Sequence, residues 1–182
     1  GGSTLEIRTG GTLTSATSVV LGSLTANENF TNRLTISGGS AAINSNNLVL
    51  GNNTAGQTSS AVLTVGAGTL DVAAATGTLR FGTTNAAAGT NTSATVHLNG
   101  GTLTVGRVFQ GTESGGGVIS SIFNFNGGTL RVQAGSTNAA YYMSGLDQAN
   151  IQAGGAILDS NGVNVTVAQI FQHDSALGVT PD

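Results

Sequence analysis

Asn126-Gly127-Gly128-Thr129-Leu130-Arg131-Val132 is a stretch of which close copies recur along the whole chain. The nearest copy, residues 99–105, differs from it at one position, and shorter or degenerate relatives occupy residues 10–14, 38–40, 67–72 and 154–157. The second glycines of these copies are Gly11, Gly39, Gly68, Gly101, Gly128 and Gly155. Their nearly constant spacing is typical of a solenoid in which one structural unit is stacked on itself.

Each unit contains three short runs in which apolar and polar residues alternate. The first run occupies residues 5–7, 34–36, 63–65, 96–98, 123–125 and 151–153. An apolar residue on either side of a polar one predicts a half-buried strand. Stacking of the units then predicts an outward polar column of Glu6, Thr35, Thr64, His97, Asn124 and Gln152.

The second and third runs follow a glycine pair, which suits a corner because glycine reaches positive φ without steric cost. In the second run we expect an inward column of Leu13, Ala41, Leu70, Leu103, Leu130 and Ile157, and outward flanking residues that include Asp71, Thr104, Arg131 and Leu158. The third run ends near a glycine, at residues 19–22, 48–51, 79–82, 108–111 and, more loosely, 141–145. Val and Thr are frequent in these runs because β-branched side chains suit a pleated surface.

Three strands per coil and about six coils predict an all-β fold, a parallel β-helix. We expect it to be right-handed, because parallel crossovers are right-handed in nearly all proteins. We expect residues 1–182 to form one such module, excised from a larger multidomain secreted protein. The ends of a solenoid are open sheet edges that are normally covered, so we expect neighbouring domains of a larger chain as partners.

The charge balance argues against a nucleic-acid partner, and the hydropathy pattern argues against membrane insertion. The chain has eight acidic residues, five arginines and no lysine, which gives a net charge of −3. Phosphate neutralisation needs clustered basic side chains, so we expect no nucleic-acid partner. No apolar run reaches the roughly 18 residues that a membrane span needs, and no leader opens the chain, so we expect no membrane insertion.

The pattern Asn-Gly-Gly-Thr-Leu-x-Val, together with residues 153–169, resembles the autotransporter-associated β-strand repeats of large bacterial surface and secreted proteins. This resemblance begins near Leu34 and is tightest between residues 99 and 169; it implies a β-helix and the role of a passenger stalk. In size and in its neutral polar surface, the chain is also similar to parallel β-helix carbohydrate-binding modules joined to plant-cell-wall hydrolases. Both resemblances imply a secreted or cell-surface location.

The acidic and histidine side chains do not form a catalytic or metal-binding pattern. The carboxylates are scattered, and the alignment of Asp71, Thr104 and Arg131 leaves acid and base about 10 Å apart at strand spacing. Residues 159–162 have the composition of a calcium loop but lack the later bidentate acid, so we interpret them as a turn. His97 and His173 are isolated. We therefore expect no enzyme activity, no metal and no cofactor.

A regular threonine face would suit ice binding, but Asp71 and Arg131 interrupt the threonine ranks and argue against it. The remaining hypothesis is a glycan-binding face built mainly by the third run, since sugar rings bind to aromatic and guanidinium planes. Its candidate residues are Arg80, Arg107, Phe109, Gln110, Glu113, Tyr141 and Tyr142. Whether Phe109 and Tyr142 point outward or into the core is left open by the alternation.

We therefore predict a non-catalytic extracellular module that binds a plant or microbial polysaccharide, with a xylan-type glycan favoured. The alternative is a structural stalk or adhesin repeat of a bacterial surface protein. An exposed cluster of arginine and aromatic side chains favours binding, and buried aromatic side chains favour the stalk.

Overall fold

The computed structural model describes residues 2–24, 30–43, 47–53, 58–73, 75–85, 89–137 and 141–174. This part of the chain is all-β, contains no helix, and forms a parallel β-solenoid of about five turns. No membrane-spanning helix is found among these residues. The strands are β1 (Thr4–Ile7), β2 (Thr12–Ser15), β3 (Val19–Leu24), β4 (Phe30–Ile43), β5 (Asn47–Asn53), β6 (Thr58–Val72), β7 (Thr78–Asn85), β8 (Asn91–Leu98), β9 (Thr102–Val105), β10 (Arg107–Glu113), β11 (Val118–Phe125), β12 (Thr129–Val132), β13 (Met143–Ser144), β14 (Gln148–Ile151), β15 (Ile157–Asp159) and β16 (Gln172–His173).

These strands form two sheets in which every pairing is parallel. The third runs make a five-stranded sheet in the order β13-β10-β7-β5-β3. The first and second runs share an eleven-stranded sheet, because β4 and β6 continue through the glycine corner as single strands of 14 and 15 residues. The three predicted runs are therefore present, and two of them are joined in these coils.

The apolar residues that begin the first run form the expected inward column in the middle coils, whereas Leu5 in the first coil is exposed. Leu34, Leu63, Val96 and Phe123 are direct neighbours in successive coils, and all are buried. Such stacked apolar columns form the narrow core between the sheets, and each coil is stabilised by its neighbours.

The predicted register of the first run is wrong in the last coil. Asn124 pairs with Asn150, so Asn150 takes the position expected for Gln152. The displacement occurs because Ala149 and Ile151 pair with Phe123 and Phe125, whereas the predicted inward residue Ala153 is exposed in the following turn.

A similar correction applies to the second run. Its inward column is confirmed for Leu70, Leu103 and Leu130, which are fully buried. In the last coil, however, Leu158 pairs with Leu130, so the prediction that Ile157 points inward is wrong. Asp159 consequently follows Arg131 in the outward column, at the position predicted for Leu158.

The glycine corners allow successive coils to approach closely. Gly68 has φ of 77°, and a Cβ atom added to it would lie 2.1 Å from the carbonyl oxygen of Gly39 in the preceding coil. Only a residue without a side chain fits this backbone conformation and this distance together. The recurring glycine is therefore required by the stacking as well as by the turn.

Candidate functional site

The outward face of the five-stranded sheet carries the candidate site. Val49, Arg80, Phe109 and Ser144 are direct neighbours on successive strands of this sheet. Arg107 lies two residues before Phe109 on β10 and therefore shares its side of the sheet. Arg80, Arg107 and Phe109 are each partly exposed, so the structure brings three of the candidate residues onto one surface and places Phe109 outside the core.

Both arginines lie over the phenylalanine ring. The guanidinium carbon of Arg107 is 4.5 Å from the Phe109 ring centroid, and that of Arg80 is 5.6 Å away. These distances are within the range in which a cation is attracted to an aromatic face. We call the three side chains the arginine–phenylalanine stack.

One guanidinium nitrogen of the stack forms a hydrogen bond to the backbone, whereas both Nε atoms lack a hydrogen-bond partner. Arg80 Nη2 donates a hydrogen bond of 2.9 Å to the carbonyl oxygen of Thr83. The Nε atoms of Arg80 and Arg107 are buried and have no hydrogen-bond partner. Part of each guanidinium group has therefore lost water to packing, while each side chain as a whole stays partly exposed.

No carboxylate of the described chain neutralises these two arginines. The ion pairs within the described ranges are Arg8 with Glu6 and Arg131 with Asp159. Arg80 and Arg107 are two of the five basic residues in a chain of net charge −3. The stack is therefore a local cationic patch on an acidic protein.

Gln110 and Glu113 belong to a separate hydrogen-bond network that joins β10 to β11. Glu113 Oε1 accepts hydrogen bonds from the Ile119 backbone nitrogen at 2.5 Å and from Gln110 Nε2 at 3.4 Å. The buried Ser121 hydroxyl donates to Gln110 Oε1 and accepts a bond of 3.0 Å from the Asp147 backbone nitrogen. Asp147 Oδ2 accepts a bond of 2.8 Å from the Ser121 backbone nitrogen. These two candidates therefore connect coils, and none of these hydrogen bonds involves Arg80, Arg107 or Phe109.

The sequence analysis missed Ser121 and Asp147. No local motif marks either residue, and the available signal is their separation of 26 residues, which is about one coil. A residue one coil away in sequence is a direct neighbour in a solenoid, so this spacing identifies such pairs.

The two tyrosines differ sharply in exposure. Tyr142 is only 1% exposed, so it is withdrawn from the candidate glycan face. Its hydroxyl donates a hydrogen bond of 3.1 Å to the Arg131 carbonyl oxygen, and burial, with a smaller effect of the Asp159 charge, raises the pKa of this hydroxyl well above its usual value. Tyr141 is 47% exposed and lies two residues before Met143, which pairs with Val108. Tyr141 is therefore accessible beside the start of β10.

The outward column of the first run forms a second polar surface. Asn124 Nδ2 lies 3.3 Å from His97 Nδ1, and Asn150 Nδ2 donates a bond of 2.9 Å to Asn124 Oδ1. Burial lowers the pKa of His97 from its usual value, which favours the neutral ring. Because Asn124 is buried and its amide groups are engaged within the ladder, this surface offers a ligand less than the stack does.

The acidic residues are not brought together into a metal site: the described ranges contain no group of three His, Asp or Glu side chains placed to hold a metal ion. In the outward column of the second run, Thr104 stands between Asp71 and Arg131, as predicted. Arg131 binds Asp159 and Asn161 on its other side.

The fold defines a class of protein, the parallel β-solenoids. Comparison with protein-family models, with curated proteins and with solved structures found no match to the chain. A proposal about function therefore depends on the geometry of the site itself.

Proposed function

We propose that this chain is a non-catalytic, secreted or cell-surface carbohydrate-binding module. In this proposal the solenoid is right-handed, and a polysaccharide of the xylan type lies across the five-stranded sheet. The observation that carries the proposal is the partly exposed arginine–phenylalanine stack on that face.

A sheet of this kind offers an elongated and nearly flat surface. Neighbouring strands are spaced by about 4.8 Å, so side chains in one column recur at regular steps along the solenoid axis. A guanidinium plane stacks on the apolar face of a sugar ring and donates hydrogen bonds to its hydroxyl groups. Tyr141 is exposed beside the start of β10, and in this proposal it adds a second aromatic side chain to the binding surface.

A structural stalk or adhesin segment, attached to neighbouring domains of a larger chain, is the second candidate. Its support is the apolar surface at both ends of the solenoid, where Leu5 and Ile170 are exposed. A groove of about 300 Å³ near Leu5 and Val20 lies in the first coil, and one of about 270 Å³ near Asp147 and Ile170 lies in the last. Open edges of this kind suit the docking of further structure along the axis.

Affinity electrophoresis of the 182-residue chain tests the proposal. Gels contain xylan, mixed-linkage glucan, pectin or no glycan, and each is run with the wild type, Arg107→Ala and Tyr141→Ala. Arg33→Ala is the matched control, because it removes the same charge from an exposed position in the other sheet.

We expect at least one glycan to retard the wild type. Arg107→Ala should weaken this binding by about tenfold, the effect of losing one charge-assisted hydrogen bond. Tyr141→Ala should weaken it less, and Arg33→Ala should leave it unchanged. Equal mobility of the wild type in every gel would contradict the proposal and favour the stalk.

A further inference from the structure

The geometry points to a carboxylate as the group that the stack binds, and we propose that the polysaccharide is a uronate-bearing one whose carboxylate is held by Arg107 and Arg80. This inference rests on the proposed function and specifies its ligand: an acidic glycan in place of a neutral one.

The first argument is uncompensated charge. Both guanidinium carbons lie over one ring, so the two positive charges are within about 10 Å of each other. Neither arginine forms an ion pair with a described acidic residue. Two like charges held in this way repel each other, and the repulsion is stronger beside a surface of low dielectric than in water. An anion bound by the guanidinium groups offsets this repulsion, whereas a neutral sugar does not.

The second argument is the occupation of the aromatic ring. Phe109 would be a stacking platform for a neutral sugar if its faces were bare, but Arg107 and Arg80 both lie over it. The groups left to meet a ligand are therefore the guanidinium groups. With both Nε atoms buried and Arg80 Nη2 bonded to Thr83, the two Nη groups of Arg107 form the planar fork, a pair of donors that matches the two oxygens of a carboxylate, and Arg80 Nη1 adds a further donor.

The third argument is that the fork is held in place before a ligand arrives. Arg107 is packed on the ring with its Nε atom buried, and Arg80 is tied to the Thr83 carbonyl by Nη2. An arginine whose plane is already oriented loses less side-chain entropy when it forms hydrogen bonds. The stack is thus preorganised for a planar anion.

Glu113, the acid closest in sequence to Arg107, and Asp147 of the same network do not pair with the two arginines. Glu113 lies at the opposite end of β10 from Arg107, at most roughly 20 Å away, since the strand is irregular between Gln110 and Thr112. Its carboxylate accepts hydrogen bonds from Ile119 and Gln110, and that of Asp147 accepts from Ser121. A ligand carboxylate at the stack therefore meets two cations that are not paired with a carboxylate of the described residues.

Two matched pairs of polysaccharides test the inference by isothermal titration calorimetry. One pair is glucuronoxylan and the same polymer after reduction of its carboxyl groups. The other is polygalacturonate and its methyl ester. Each is titrated into the wild type, Arg107→Gln, Arg80→Gln and the control Arg33→Gln, at low and at high sodium chloride.

We expect the wild type to bind at least one carboxylated polymer about tenfold more tightly than its neutral counterpart, with the preference falling as salt rises. Arg107→Gln and Arg80→Gln should abolish the preference, and Arg33→Gln should retain it. Circular dichroism checks that each variant is folded. If a variant is not folded, the salt dependence of the wild-type preference for the carboxylated polymer tests the inference.

Two outcomes separate this inference from the proposed function. Equal binding of a charged polymer and its neutral counterpart overturns the carboxylate and leaves a module for neutral glycans. Absence of binding to all four polymers, with no retardation in the electrophoresis gels, overturns the proposed function together with the inference.

Discussion

Arg131 binds Asp159 on the neighbouring strand, with 3.1 Å between Nε and Oδ2. Asp71 stands in the same outward column on the opposite side, beyond Thr104, and its Oδ1 atom is buried without a hydrogen-bond partner. Burial raises the pKa of Asp71, and the positive charge of Arg131 only partly opposes this. One arginine therefore compensates one carboxylate and leaves the other poorly solvated.

Replacement of Asp71 by asparagine should stabilise the protein at neutral pH. The pKa of Asp71 is higher in the folded than in the unfolded chain, so ionisation above the usual value of 3.8 favours unfolding. We expect Asp71→Asn to raise the free energy of unfolding at pH 7 by less than about 1 kcal/mol, because the residue is partly exposed and screened. Urea unfolding at pH 7 and pH 3 measures this gain, which should vanish at pH 3.

Asp159→Asn is the matched control, since this carboxylate is paired with Arg131. It should lower the stability at pH 7. A loss of stability at pH 7 in the Asp71→Asn variant would contradict the assignment of Asp71 as a destabilising charge.

Truncation of the core should depend on position along one column. Leu103 is fully buried between Leu70 and Leu130, so Leu103→Ala leaves a cavity and should lower the free energy of unfolding by about 3 kcal/mol. Leu158 ends the same column and is 43% exposed, so Leu158→Ala should lower it by less than about 1 kcal/mol. Urea denaturation followed by circular dichroism compares the two. Equal losses in the free energy of unfolding would mean that Leu158 in the last coil is as well buried as Leu103 in the middle.

Alanine substitutions at two corner glycines should distinguish the effect of backbone strain from the effect of close packing between coils. Gly68 and Gly155 both have φ of 77°, but a Cβ atom would collide with the Gly39 carbonyl at Gly68 and would meet nothing within 4 Å at Gly155. Gly155→Ala should therefore lower the stability by about 1 kcal/mol through strain alone. Gly68→Ala should lower it by more than about 2 kcal/mol, because two coils must also move apart. Thermal unfolding measures both, and equal effects would show that the corners tolerate a wider spacing.

The buried hydroxyl of Tyr142 should make the protein sensitive to alkali. Its pKa is raised in the folded state, so above the usual value of 10.0 the unfolded chain ionises more readily and stability falls with rising pH. Once the unfolded chain is ionised, we expect a fall of about 1.4 kcal/mol per pH unit while the folded hydroxyl stays neutral. Urea unfolding between pH 9 and pH 12 measures it.

Tyr142→Phe removes this contribution and should show a shallower alkaline slope. At neutral pH the same variant should lose about 1 kcal/mol, because the Arg131 carbonyl loses its donor. An identical alkaline slope in the wild type and the variant would assign the sensitivity to another group.

The repeat predicts most of the fold because each glycine corner marks the same point of a coil. The last coil is the exception. Its copy, residues 154–157, lacks the Thr-Leu pair, and either Ile157 or Leu158 fits the inward column by polarity. Packing on Leu130 and the ion pair of Asp159 with Arg131 select Leu158, and neither contact is visible in a single unit of sequence.

The candidate site is predicted to a similar extent. Alignment of the third runs places Arg80 beside Phe109, which is the pairing that creates the stack. The burial of Tyr142 escapes prediction because β13 contains only Met143 and Ser144, so strand alternation does not extend to the residue before it. Gln110 and Glu113 form hydrogen bonds in the network with Ser121. This network depends on contacts between different strands, so one run of sequence does not predict it.

The parallel register has a consequence for how the molecule forms. Leu63 pairs with Leu34 of the preceding coil, and Phe123 pairs with Val96 in the same way. A ribosome delivers the amino-terminal residues first, so each new strand emerges when its template in the preceding coil is already available. Assembly can thus proceed one coil at a time in the direction of synthesis, and only the first coil must nucleate without a template.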